Sequence, residues 1–114
     1  MLRSNMATPF EITASEVHRR LKAGEALTLI DVREPEEHQI CRIDSATLIP
    51  MRQIPKQFKD LEGAASPLVF FCHHGVRSLN VVEWLREQGL KDCLSMAGGI
   101  DAWSREVDPG VPRY

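Results

Sequence analysis

The residues from Leu68 to Cys72 constrain the fold of this chain more than any other segment. They read Leu-Val-Phe-Phe-Cys and follow directly on a proline. A run that is this short and this apolar is typical of a β-strand that is buried on both faces. The segment therefore predicts the centre of a sheet that has further structure packed on each side.

Helical patterns alternate with further strand-like runs along the rest of the chain. The other predicted strands cover residues 26–32, 46–49 and about 92–95. Helices are predicted from a cap at Thr13 to about Gly24, near 35–38, over 51–61, from 78 to 88, and from 101 through 103. This alternation predicts the α/β class, with a mostly parallel sheet wrapped by helices. Ligands of such sheets bind where the strands end, which here means residues 31–37, 72–77 and 97–101.

Length and charge narrow the classes of function. A chain of 114 residues predicts one domain, 1–114, with a core of about 11–106 and short terminal tails. The 14 Lys and Arg residues and the 16 Asp and Glu residues give a net charge of −2. We therefore expect neither nucleic acid nor a membrane as partner. Residues 1–10 have no apolar core of signal-peptide length, so the expected location is the cytoplasm, where thiols stay reduced.

The loop that joins the most buried strand to the next helix has the strongest chemical signal. It reads Cys72-His73-His74-Gly75-Val76-Arg77-Ser78. The free N–H groups and the dipole of the helix start, together with the Arg77 guanidinium, favour the thiolate form of Cys72. Gly75 allows a positive backbone angle, so that consecutive amides can surround the sulfur or an anion beside it. The loop is predicted to be an anion cradle around one nucleophile.

Two other interpretations of this loop have to be compared with the cradle. A cysteine at the end of an apolar strand can be an inert core thiol, but the spacing of Cys72, Gly75 and Arg77 ahead of a helix favours function. His73 and His74 suggest a metal site with Cys72. Adjacent side chains in a tight loop diverge and no other Cys or His pair has ligand spacing, so we expect no metal. The histidines are instead expected to affect the pH response or access to the loop.

Three motifs in order resemble the rhodanese-like domain family from about Ile12 to Trp103. They are Asp31-Val32-Arg33-Glu34-Pro35-Glu36-Glu37, the loop Cys72 to Arg77, and Gly98-Gly99-Ile100-Asp101-Ala102-Trp103. The resemblance implies a mostly parallel sheet of about five strands with helices on both faces. It also implies a sulfurtransferase without a cofactor. Cys72 would take a sulfane sulfur from thiosulfate or a protein persulfide and pass it to a thiophilic acceptor; cyanide is the family's usual laboratory acceptor.

Roles for the remaining site residues follow from the same interpretation. The predicted substrate-binding residues are His73, His74, Gly75, Val76, Arg77 and Arg33. Arg33 has a structural alternative, a salt bridge to Asp31, Glu36 or Glu37. Asp31 is expected to brace the active-site loop by accepting hydrogen bonds from backbone amides.

One departure from the family pattern and two competing functions remain open. Residues 41–46 lack both glycines and the proline of the family's usual segment, so Cys41 could lie near the site as a resolving thiol or simply pack. One alternative function is a rhodanese-like binding module without catalysis. The other is a cysteine-based phosphatase or arsenate reductase, although the loop is one residue shorter than that of cell-cycle phosphatases. The expected partners are a small-molecule or protein sulfur donor and acceptor, including a sulfur-delivery partner enzyme.

Overall fold

A five-stranded sheet in which all strand pairs are parallel forms the centre of the protein. The computed structural model describes residues 9–114. The strands are β1 (Glu11–Thr13), β2 (Thr28–Asp31), β3 (Thr47–Leu48), β4 (Leu68–Phe71) and β5 (Cys93–Ala97). Their order is β1-β5-β4-β2-β3, so the apolar run at Leu68 is the central strand, as predicted.

Helices connect the strands and cover both faces of the sheet. They are α1 (Ala14–Lys22), α2 (Pro35–Ile40), α3 (Phe58–Glu62), α4 (Val76–Glu87) and α5 (Gly99–Glu106). The single helix predicted over 51–61 is instead a 3₁₀ helix, Met51–Gln57, followed by α3. Pro55 lies inside the 3₁₀ segment, where its ring and its missing N–H disfavour a continuous α-helix.

Alternate residues of the strands face two separate cores. One core contains Leu29, Val69, Phe71 and Met96 with side chains of α1 and α5. The opposite core contains Ile30, Leu68, Phe70, Cys72 and Cys93 with side chains of α3, α4 and the 3₁₀ helix. The two cores arise because successive side chains of a strand point to opposite faces of the sheet, and both faces are buried here. The predicted α/β class, with helices on both faces, is confirmed.

The first strand is the element that the sequence did not predict. Residues Glu11–Thr13 pair in parallel with Ser95–Ala97 at the edge of the sheet, whereas the sequence indicated only the start of a helix. Thr13 ends β1 and also caps α1, because its Oγ1 accepts a hydrogen bond from the Glu16 amide at 3.1 Å. A three-residue edge strand has too few residues to show a period, and its pairing with β5 is a long-range contact.

Because all strands are parallel, the ends of β2, β4 and β5 meet at the same edge of the sheet. The segments that follow them carry the three motifs singled out above. Among residues 9–114, no helix has the length and apolar character needed to cross a membrane.

Candidate active site

Cys72 directly follows β4, and its sulfur lies among amides of the loop and of α4. Its Sγ accepts hydrogen bonds from the backbone N–H of Gly75 at 3.1 Å and of Ser78 at 3.4 Å. Gly75 is the N-cap of α4 and has φ 107°, a conformation that favours glycine. Only 1% of Cys72 is exposed. The loop therefore surrounds the sulfur with donors at a helix N-terminus, an arrangement that stabilises negative charge.

Two serines that the sequence analysis did not single out complete this environment. The Ser78 hydroxyl lies 3.5 Å from the Cys72 sulfur, and 2.7 Å from the hydroxyl of Ser95 on β5. Both serines are fully buried. Ser78 could have been found from the sequence, because it is a polar residue on the otherwise apolar inner face of α4. The Ser78 hydroxyl is therefore next to the Cys72 sulfur, and its hydrogen bond with Ser95 restricts its orientation.

The N-terminus of α5 holds the outer side of the same loop. The amides of Ile100 and Asp101 donate to the carbonyl oxygens of Cys72 and His73, at 2.9 and 3.1 Å. Since these carbonyls point towards α5, the loop's later amides are free to point towards the sulfur. Gly99 makes the close approach possible, because it has φ 62° and a Cβ there would lie 2.5 Å from the His73 carbonyl oxygen.

We expect Gly99→Ala to displace the loop and to lower both stability and activity. The clash and the left-handed backbone together should cost about 2–4 kcal/mol of unfolding free energy. Gly89→Ala is the matched control, since Gly89 also has a positive φ but has open space around its Cβ position. Urea unfolding should show a loss of only about 1 kcal/mol for the control. Equal losses in the two variants would mean that the contact with the loop is unimportant.

Arg77, at the other end of the loop, is paired with a carboxylate of α2. Its two terminal nitrogens donate to the two oxygens of Glu37 at 2.8 and 2.9 Å. This hydrogen bonding, opposed by burial, lowers the pKa of Glu37 to about 2 and raises that of Arg77, to which Cys72 adds a smaller electrostatic contribution. The sequence predicted that Arg77 would hold an anionic donor. In the structure the same groups hold an internal carboxylate.

The Glu37–Arg77 pair should make stability fall in acid. A carboxylate whose pKa is lowered from 4.5 to about 2 contributes stability above pH 4.5, and this contribution is lost as the pH falls towards 2. We expect Glu37→Gln to reduce the unfolding free energy at pH 7 by on the order of 1–2 kcal/mol after solvent screening. Denaturant unfolding at several pH values should show wild type and variant converging near pH 2. A difference that does not change with pH would contradict the assignment.

Arg33 and Asp31 form a buried pair behind the site. Both side chains are at most 1% exposed, and the Arg33 guanidinium donates to the two Asp31 oxygens at 2.9 and 2.7 Å. Asp31 also accepts from the backbone amide of Arg33 rather than from an amide of the loop 72–77, unlike the expected bracing contact. Arg33 has no route to a substrate without leaving this pair. The geometry thus favours the structural alternative for Arg33.

An aromatic stack covers the outer face of the loop. The ring of His73 lies between His74 at 3.9 Å and Tyr114 at 3.8 Å, measured between ring centres. Burial, reinforced by the neighbouring His74, lowers the pKa of His73. The Tyr114 hydroxyl donates to Glu37 at 2.8 Å and accepts from Arg33 at 3.0 Å. Burial raises the pKa of Tyr114 to about 12, against the effect of Arg33, so this hydroxyl stays a donor.

The two histidines of this stack and Asp101 form a group of three potential metal ligands. Nitrogen atoms of His73 and His74 and a carboxylate oxygen of Asp101 lie within 4.8 Å of one another, a grouping that spacing along the chain did not reveal. The carboxylate oxygens of Asp101 already accept hydrogen bonds from Arg105 and Arg113. These two guanidinium groups oppose the binding of a further cation, so we assign no metal to the cluster.

Val76 and the other two cysteines complete the set of predicted residues. Val76, the first residue of α4, is 71% exposed. Cys41 is the C-cap that follows α2 and is buried, with its sulfur 3.8 Å from a guanidinium nitrogen of Arg33. Cys93 is fully buried in β5, and burial raises the pKa of its thiol to about 11. Of the three thiols, Cys72 is the one that accepts hydrogen bonds from backbone amides.

Comparison with known proteins identifies the family. The model of the rhodanese-like domain matches residues 13–106. "Putative sulfurtransferase YtwF" of Bacillus subtilis is 39% identical over 99 residues, which are 87% of this chain and 94% of YtwF. "Adenylyltransferase and sulfurtransferase MOCS3-1" of Zea mays is 35% identical over 109 residues, or 90% of this chain and 23% of that protein. The chain thus spans most of one relative and about a quarter of the other.

The fold agrees with this assignment. A crystal structure of a rhodanese-related protein from Thermoplasma volcanium superimposes with a TM-score of 0.75 and 31% identity, covering 91% of this chain and 98% of that one. The chain belongs to the rhodanese-like domain family, whose members include proteins named as sulfurtransferases. The resemblance that the three motifs indicated is confirmed.

Proposed function

We propose that this protein is a sulfurtransferase that carries a sulfane sulfur on Cys72 as a persulfide. The observation behind the proposal is the position of the Cys72 sulfur, which accepts hydrogen bonds from the amides of Gly75 and Ser78 at the N-terminus of α4. Backbone donors placed in this way stabilise negative charge on the Cys72 sulfur and, after transfer, on the outer sulfur. The sulfurtransferase names of relatives point to the same chemistry.

The transfer has two halves. The Cys72 thiolate attacks the outer sulfur of the donor, a new S–S bond forms, and the donor's own bond to that sulfur breaks. With thiosulfate the leaving group is sulfite, which departs with the electron pair. A nucleophilic acceptor such as cyanide then attacks the outer sulfur of the persulfide, forms thiocyanate and returns Cys72 as thiolate. Thiosulfate:cyanide sulfurtransferase activity is therefore the proposed laboratory assay.

In the cell we propose sulfur exchange with a protein partner in the reducing cytoplasm. The three cysteines are free, so none is removed from chemistry by a disulfide. A relative whose name joins adenylyltransferase to sulfurtransferase supports a sulfur-delivery partner enzyme. The persulfide would then be handed from Cys72 to a substrate that the partner activates.

Intact-protein mass spectrometry tests the proposal. Incubation with thiosulfate, or with a thiol persulfide as a second donor, is expected to add one sulfur, about 32 Da, that cyanide removes. Cys72→Ser should gain no such mass. A folded wild-type protein that gains no sulfur from either donor would overturn the persulfide mechanism and favour the binding-module alternative.

A further inference from the structure

The two guanidinium groups that the sequence predicted as anion binders are both neutralised by the chain itself. Arg77 forms two hydrogen bonds with Glu37, and Arg33 is buried against Asp31. When a sulfur donor binds at the Cys72 loop, both guanidinium groups are therefore already paired with carboxylates of the chain. This charge pattern bears on which sulfur donors the site accepts.

Glu37 is fixed in its position by groups from three parts of the fold. Besides Arg77 of α4, its carboxylate accepts from the Glu34 amide at the start of α2 at 3.0 Å. It also accepts from the Tyr114 hydroxyl at 2.8 Å. About 20% of the side chain is exposed. A carboxylate held by this many donors does not swing away readily, so an incoming anion must compete with it for Arg77.

The competition differs between classes of donor. Thiosulfate carries two negative charges and must either displace Glu37 from Arg77 or bind beside a fixed carboxylate; both oppose binding. The persulfide group of a thiol persulfide carries at most one negative charge, on the outer sulfur, which the loop amides stabilise. Its reaction needs no guanidinium. The Cys72 thiolate attacks the outer sulfur and a new S–S bond forms. The donor's S–S bond breaks, and the donor leaves as a thiolate with the electron pair.

We propose that Glu37 is a specificity-determining residue that selects against small dianionic sulfur donors and in favour of thiol persulfides. The inference rests on the proposed sulfurtransferase function. It states which of the two proposed classes of donor the site prefers, and it assigns Glu37 a role in that preference that the sequence did not indicate. It also makes thiosulfate a weak substrate of the wild-type protein.

A binding experiment tests the role of Glu37 independently of turnover. In a Cys72→Ser background, thiosulfate is titrated while the amide signals of Gly75 and Ser78 are followed by NMR. Adding Glu37→Gln should lower the Kd about tenfold, because a like charge is removed from beside the ligand. The control adds Glu36→Gln, which removes the same charge from an exposed neighbour on α2. A Kd within twofold of this control would overturn the proposal.

Steady-state kinetics of the protein that retains Cys72 give the second readout. Glu37→Gln should lower the KM for thiosulfate about tenfold and change the KM for hydroxyethyl hydropersulfide by less than twofold. Equal changes for the two sulfur donors would overturn the proposal.

If Glu37→Gln fails to fold, Tyr114→Phe is the second variant. It removes one hydrogen bond to Glu37 and should tighten thiosulfate binding two- to threefold. No tightening would overturn the proposal. Failure of the sulfurtransferase function looks different, since no variant would then gain 32 Da from either donor.

Discussion

Replacing Cys72 by serine is expected to abolish sulfur transfer while the fold persists. Serine is close to cysteine in size and can accept the same hydrogen bonds from the amides of Gly75 and Ser78. Its hydroxyl does not ionise near neutral pH, so the nucleophile is lost although the cradle remains. Initial rates with thiosulfate and cyanide should fall by a factor on the order of 10⁴ or more.

Cys93→Ala is the matched control for this loss. Cys93 is also a buried thiol, but it lies in β5 among core side chains and its pKa is raised to about 11 by burial. Its removal should reduce stability modestly and leave the rate per folded molecule unchanged. Circular dichroism confirms that both variants are folded before their rates are compared. Substantial activity in Cys72→Ser would show that another group is the nucleophile.

The largest expected loss of stability comes from Asp31→Ala. The substitution leaves the Arg33 guanidinium, which is 0% exposed, without its carboxylate partner. Removing one member of a buried ion pair typically costs about 3–5 kcal/mol, a large share of the roughly 5–15 kcal/mol by which a domain of this size is stable. Urea unfolding should therefore show a much earlier midpoint. An unfolding free energy close to that of wild type would mean that water reaches Arg33.

Two further variants define the origin of that loss. Asp44→Ala removes a carboxylate whose side chain is 96% exposed beside Arg42, so its expected cost is below about 1 kcal/mol. The double variant Asp31→Leu with Arg33→Met replaces both charges by apolar groups. Since the uncompensated charge is the source of the loss, the double variant should be more stable than Asp31→Ala alone.

Local pattern was sufficient to predict most of the fold. The apolar run at Leu68 is a strong local signal, because it is too short for a buried helix and is rich in the β-branched and aromatic residues typical of strands. The edge strand β1 depends instead on its pairing with β5, about eighty positions away along the chain. The helix predicted over 51–61 begins instead as a 3₁₀ segment that contains Pro55, and the periodicity of the apolar residues does not distinguish these two kinds of helix.

The site divides in the same way. Cys72, Gly75 and Arg77 are close in sequence, and a helix start that follows a strand suffices to bring them together. The contacts of Arg77 with Glu37 and of Tyr114 with His73 join distant segments, so spacing did not predict that the guanidinium would be occupied. The pairing of Arg33 with Asp31 is one of the alternatives that the sequence predicts, because only two positions separate these residues.

The hydrogen bonds from Ile100 and Asp101 to the carbonyl groups of the Cys72 loop have a consequence for cooperativity. Loops usually open locally at little cost, but this one is joined to the central strand on one side and to the start of a helix on the other. We therefore expect the loop to unfold together with the sheet rather than separately. A reactive thiol held in this way is protected from partial unfolding, so the nucleophile and the folded domain are present or lost together.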